Sequence, residues 1–164
     1  MRTLLLLPAL VSPFLTAVIP GAMEVSRGVY VLVGLPAPEV MAAMKAEKIQ
    51  YVVCLCRETE QGVDIDAEAQ RLSELGIGFS RVVLDKAPTK ADFDLFRQLV
   101  ASLPTHSRIL VHCRDGNRAA AVTIAWLAKE GRITRLDAIP LARKAGMIRP
   151  ETEKALASYL GIAL

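Results

Sequence analysis

The chain has 164 residues, 52% of them hydrophobic and 23% charged, which is enough for one sizeable core and excludes a disordered tail. A net charge of +3, spread over twenty dispersed Lys and Arg, and only 5% aromatic residues leave little for a nucleic-acid surface. The mild basic balance suits an anionic substrate.

The first 22 residues stand apart. Arg2 is their only charge, Leu4 to Ile19 is almost wholly apolar, and the small residues Gly21 and Ala22 precede the first acidic residue, Glu24. A basic start, a short apolar run and a small-residue end describe a secretory signal peptide over residues 1–22, with the domain occupying 23–164. Pro8 and Pro13 interrupt the run and argue against a spanning helix. The expectation is therefore export to the periplasm or beyond, with no stable membrane insertion after cleavage. An uncleaved anchor or a misassigned start, with a cytoplasmic protein, are the alternatives.

Beyond the leader, short β-branched runs alternate with amphipathic stretches. Val29 to Val33 reads as a strand, and Pro38 opens a helix with Val40, Met41 and Met44 on one face. Ile49 to Leu55 reads as a buried strand, Asp66 to Leu75 as a helix stopped by Gly76, and Phe79 to Leu84 as another strand. Thr89 and Asp92 form a capping-box pattern ahead of the apolar stripe Phe93, Phe96, Leu99, Val100 and Leu103. Arg108 to His112 is a further strand, followed by an Ala-rich apolar helix from Arg118 to Lys129. Two more helices are expected near Leu136 to Ala145, with Pro140 inside, and Pro150 to Leu160. This alternation predicts a single α/β domain with a mainly parallel central sheet flanked by helices.

Three cysteines, Cys54, Cys56 and Cys113, are too few for a disulfide scaffold. With two histidines, His106 and His112, they do not fall into paired metal-ligand spacings, so no metal is expected. No nucleotide-binding glycine pattern occurs, and no cofactor is expected. Cys54 reads as core.

The segment His112-Cys113-Arg114-Asp115-Gly116-Asn117-Arg118 carries the chemistry. A strand ending in Cys, a glycine-containing turn and an Arg opening a helix make an anion nest: backbone N–H groups turn inward and the helix dipole adds positive charge. Gly116 permits a backbone conformation that a side chain obstructs, and Arg118 suits bidentate capture of two anionic oxygens. The same surroundings are expected to favour a reactive thiol at Cys113, a buried, inert core cysteine being the plainer reading. Arg114, Asp115, Gly116 and Asn117 are the candidate substrate-binding positions, although a carboxylate at Asp115 repels a phosphate dianion. His112 is expected to orient the loop through hydrogen bonds; a satisfied core histidine is the other reading.

His-Cys followed by Gly and Arg resembles the signature of the protein tyrosine and dual-specificity phosphatases, which place five residues between Cys and Arg. Here there are four, a spacing that also resembles rhodanese sulfurtransferases. The wider order favours the former: Cys56-Arg57-Glu58-Thr59-Glu60 after a strand, an acidic helix ending in Leu75-Gly76-Ile77, then Asp85, then Asp94-Leu95-Phe96-Arg97 before the loop. Over roughly residues 25 to 148 it is similar to the bacterial phosphatase-like DUF442, or beta-lactamase-hydrolase-like, family, whose usual Gln-Pro near the first helix is Leu35-Pro36 here.

That resemblance implies a dual-specificity-phosphatase-like fold and hydrolysis of phosphomonoesters, phosphotyrosine proteins among them, through a cysteinyl-phosphate on Cys113. It implies Arg118 as the oxyanion holder and Asp85 as the general acid, a turn residue before Pro88 being the plainer reading of Asp85. Cys56 stands where some lipid-phosphatase relatives carry a cysteine that pairs with the nucleophile on oxidation, a small apolar core residue being the other reading. Ala119 replaces the hydroxyl residue that usually follows the Arg and assists thiolate departure, so slow turnover is expected. The tight loop has less room for a phosphoryl group, which keeps open sulfur transfer through a Cys113 persulfide, or a non-catalytic module that binds phosphate or another anion.

Overall fold

The computed structural model describes residues 18–164. Of the expected leader, residues 1–17 lie outside the described residues. Among the described residues no helix is long and apolar enough to cross a membrane.

Among the described residues, five strands form one sheet in the order β1-β2-β5-β3-β4: β1 (Ala22–Ser26), β2 (Val29–Val33), β3 (Tyr51–Cys54), β4 (Gly78–Arg81) and β5 (Ile109–Cys113). The β1–β2 hairpin is antiparallel, and every other pairing is parallel. β5 is central and buried along its whole length, as its unbroken Ile-Leu-Val-His-Cys sequence requires. Residues just ahead of β1 are part of this body. Ile19 is buried, and the Gly21 carbonyl accepts a hydrogen bond from the Val33 amide at 3.0 Å.

Helices α1 (Pro38–Ala46) and α2 (Ile65–Glu74) cover one face, where Val40, Met41, Met44 and Leu72 pack on Tyr30, Leu32, Val52 and Leu110. The other face carries α3 (Lys90–Ser102), α4 (Asn117–Lys129), α5 (Arg135–Lys144) and α6 (Pro150–Leu160). The Thr89–Asp92 capping box is present at the start of α3. Pro140 sits inside α5 without ending it. α4 is the hub: Ala119, Ala120, Ala121, Ile124, Ala125 and Leu127 are fully buried, the alanines letting the helix approach the sheet and its neighbours closely.

Two strands are shorter than the apolar runs that announce them. β3 stops at Cys54 rather than Leu55, and β4 stops at Arg81 rather than Leu84. The carbonyls of Leu55 and Leu84 instead accept hydrogen bonds from Arg118 Nη1, at 3.1 and 3.0 Å. Both chain segments thus leave the sheet to build the site.

Candidate active site

Cys113 is the last residue of β5 and is fully buried. After Arg114 and Asp115 the chain turns through Gly116, whose φ of +81° lies in the left-handed region, and enters α4 at Asn117. A Cβ at Gly116 would lie 3.0 Å from Val33 Cγ2 and 3.1 Å from Val33 Cα, so β2 also excludes a side chain there. Gly116 caps α4 without a side-chain hydrogen bond, which leaves the first amides of the helix facing the loop.

Arg118 is held as few surface arginines are. Besides the Leu55 and Leu84 carbonyls, Nη1 and Nη2 bond the two oxygens of Glu60 at 2.7 and 2.6 Å. Burial opposes the Arg118 charge, but the Glu60 hydrogen bonds and the proximity of Cys113 raise its pKa above the ordinary value. Burial likewise acts against the Glu60 charge, and its bonds with Arg118 outweigh that, leaving its pKa below the ordinary carboxylate value. Glu60 also accepts the Arg57 amide at 2.9 Å, closing the turn after β3.

Asp115 folds back onto its own loop. Oδ1 accepts from the Asn117 amide at 3.2 Å and from the Cys113 thiol at 3.5 Å, while Oδ2 pairs with Arg149 at 2.5 Å. The carboxylate thereby takes part of the helix N-terminus that an anion would use, and Arg149 compensates its charge. The Asn117 side chain turns away from the loop: its amide donates to Thr152 at 2.6 Å, and its oxygen accepts the Ile148 and Arg149 amides at 3.0 and 3.1 Å. It ties α4 to the α5–α6 connection, so only its backbone faces the cradle. Arg114 is exposed and bonds Gln61, its Nε meeting the main-chain oxygen at 3.2 Å.

Asp85 lies on the rim, next to the Leu84 carbonyl that holds Arg118, with its side chain 71% exposed and paired with Arg57. Beneath the loop, Cys54, Cys56 and His112 are all fully buried. Cys56 lies close to Cys113. His112 Nε2 bonds Glu68 Oε1 at 2.7 Å across from α2.

The fold therefore gathers Cys113, Gly116, Arg118, Cys56 and His112, sets Asp85 and Arg114 at the edge, and turns the Asn117 side chain outward. Glu60, Glu68 and Arg149 were not among the sequence candidates. Glu68 left a trace, since Ile65, Glu68, Leu72 and Leu75 place a carboxylate within the apolar stripe of α2. A concavity of about 890 Å³ lies elsewhere, at the opposite end of the strands between Arg27, Thr105, Arg108, Trp126 and Arg132. It contains none of the loop residues.

No family model and no curated protein matches the sequence. Solved structures do. A candidate phosphatase of the DUF442 group from Shewanella putrefaciens CN-32 is similar with a TM-score of 0.73 and 18% identity, over 87% of this chain and 93% of that one. PTPMT1 in complex with PI(5)P gives 0.67 and 18%, over 86% and 95%. The core catalytic domain of the PP-IP phosphatase SIW14 from Saccharomyces cerevisiae, in complex with citrate, gives 0.69 and 16%, over 85% of each chain. The chain has the α/β fold shared by DUF442 and protein-tyrosine-phosphatase-like proteins.

Proposed function

We propose that the protein is a cysteine-dependent phosphatase that hydrolyses phosphomonoesters. The observation that carries this reading is the placement of Arg118: a guanidinium locked by Glu60 and two carbonyls beside the sulfur of a buried cysteine at a helix N-terminus. Those bonds use Nη1 and one hydrogen of Nη2. They leave the Nε–H and the second Nη2–H, a planar two-donor edge suited to two phosphoryl oxygens.

The Cys113 thiolate attacks phosphorus, forming the S–P bond as the P–O bond to the leaving group breaks. The loop amides and the free edge of Arg118 hold the equatorial oxygens, and Asp85 delivers a proton to the departing oxygen from the exposed rim. Water then cleaves the S–P bond. Ala119, fully buried, offers no hydroxyl to the departing sulfur, so this second step is slow. Arg57, Arg114 and Arg149 around the rim favour an anionic substrate. The similar structures support the reading, since one was solved with PI(5)P and another is a PP-IP phosphatase.

The test is p-nitrophenyl phosphate hydrolysis and thiosulfate-to-cyanide sulfur transfer, assayed side by side on reduced protein with Cys113→Ser as control. Phosphate release that disappears in Cys113→Ser supports the proposal. Thiocyanate formation without phosphate release would replace it with sulfur transfer, and Cys113-independent anion retention without turnover would replace it with a binding module.

Cys56 is proposed as a redox partner of Cys113. On mild peroxide the two thiols give up two protons and two electrons, forming a disulfide while peroxide becomes two waters. Non-reducing peptide mapping that finds Cys113 unpaired, or Cys56 joined to Cys54, would reject it.

A further inference from the structure

Below Cys113 lies a second cluster that hydrolysis does not use; it shares Cys56 with the proposed redox pair, so a bound ion and the Cys56–Cys113 disulfide are mutually exclusive states. β3 and β5 are adjacent and parallel, with Cys54 opposite His112 in the register. Cys56, two residues past Cys54, turns back so that its amide approaches the Cys54 sulfur at 3.5 Å. The two sulfurs and a ring nitrogen of His112 all lie within 4.8 Å of one another, in residues with no exposed surface.

The histidine is presented as a ligand. Its Nε2 is taken by Glu68 at 2.7 Å, and Nδ1 is buried with no hydrogen-bond partner. A carboxylate behind one ring nitrogen, with the other aimed at soft donors, is the arrangement that orients metal-bound imidazoles. A ring nitrogen left unpartnered in a dry core is costly, and sulfur with imidazole selects thiophilic d10 ions.

We propose that Cys54, Cys56 and His112 form a buried site for one thiophilic d10 ion, zinc(II) or copper(I), with Glu68 fixing the imidazole. The linear spacing of these residues gave no sign of it, because the third ligand comes from a neighbouring strand. Binding forms two metal–sulfur bonds and one metal–nitrogen bond, and the thiol protons pass to solvent. The ion braces the active site from behind. Cys54 and Cys56 flank Leu55, whose carbonyl holds Arg118, and His112 precedes Cys113. The site does not depend on the phosphatase reading, and its test uses binding rather than turnover.

The whole reduced protein is titrated anaerobically with cobalt(II) as a zinc surrogate and, in a separate arm, with copper(I) under a competing chelator. We expect one ion per chain, a thiolate-to-cobalt charge-transfer band, and full retention in Cys113→Ser. Cys56→Ser should weaken binding at least 100-fold. Glu68→Gln should weaken it about 10- to 100-fold, the usual effect of losing a carboxylate behind a metal-bound histidine. X-ray absorption of the zinc- or copper-loaded wild type, which needs no variant to fold, should show two sulfurs at about 2.3 Å and one nitrogen at about 2.0 Å. Failure of the folded wild type to bind either ion, an absorption shell lacking two sulfurs, or loss of binding in Cys113→Ser would overturn the proposal.

Discussion

The two walls of the site are built differently. The inner wall, from Cys113 through Gly116 to Arg118, is buried and tied down by Glu60, two main-chain carbonyls and the Val33 contact. The outer wall, carrying Asp85, is exposed and held by one ion pair with Arg57. The contrast teaches that the groups proposed to hold the anion are fixed by the folded core before any substrate arrives. In the proposed mechanism, proton delivery falls to a surface carboxylate whose pairing with Arg57 is screened by solvent.

The largest effect should come from breaking the inner wall. Arg118→Lys keeps a charge but loses the fork, and phosphate release should fall at least 100-fold, as when one oxyanion donor is removed. Glu60→Ala acts on the same wall through Arg118. It leaves a buried guanidinium without its carboxylate, so denaturant unfolding should show a loss of about 3 kcal/mol together with reduced activity. The pH dependence of that loss has a defined sign. The Glu60 pKa is lowered in the fold, so its contribution is fully present above the ordinary value of 4.5 and is lost as pH falls through the folded value. Wild type and Glu60→Ala should therefore converge in stability in acid, and a constant gap down to low pH would contradict the pairing.

The outer wall predicts a different signature. Asp85→Asn should leave stability unchanged and lower the rate on poor leaving groups about 100-fold, with less effect on p-nitrophenyl phosphate, whose leaving group needs no proton. Equal losses on both substrates would remove Asp85 from acid catalysis. Smaller still is Asp115→Asn, which removes the carboxylate competing for the helix N-terminus. The KM for an anionic substrate should fall a few-fold, and a rise would mean that Asp115 with Arg149 organises the cradle.

What the sequence showed followed from local rules. The α3 capping box, the proline at the head of α6 and the αL glycine before α4 are each decided within a few residues, and they stand where expected. β1 was hidden because an edge hairpin entered through Ile19, Gly21 and Ala22 has the composition of a small-residue cleavage region. The ends of β3 and β4 were overextended because an apolar run does not reveal that its last carbonyl will be claimed by Arg118. Glu60, Glu68 and Arg149 lie 58, 44 and 34 residues from the groups they hold, distances over which no spacing rule operates.

The central proposal is that Cys113 becomes a phosphoryl carrier, and the slow second step expected from Ala119 makes this directly observable. Reduced protein is mixed with p-nitrophenyl phosphate, stopped within the first turnover, and mapped by peptide mass spectrometry. The account predicts a burst of p-nitrophenol matched by a phosphoryl group on the peptide containing Cys113, with both absent in Cys113→Ser. Steady phosphate release with no such adduct, or the same release from Cys113→Ser, would contradict it.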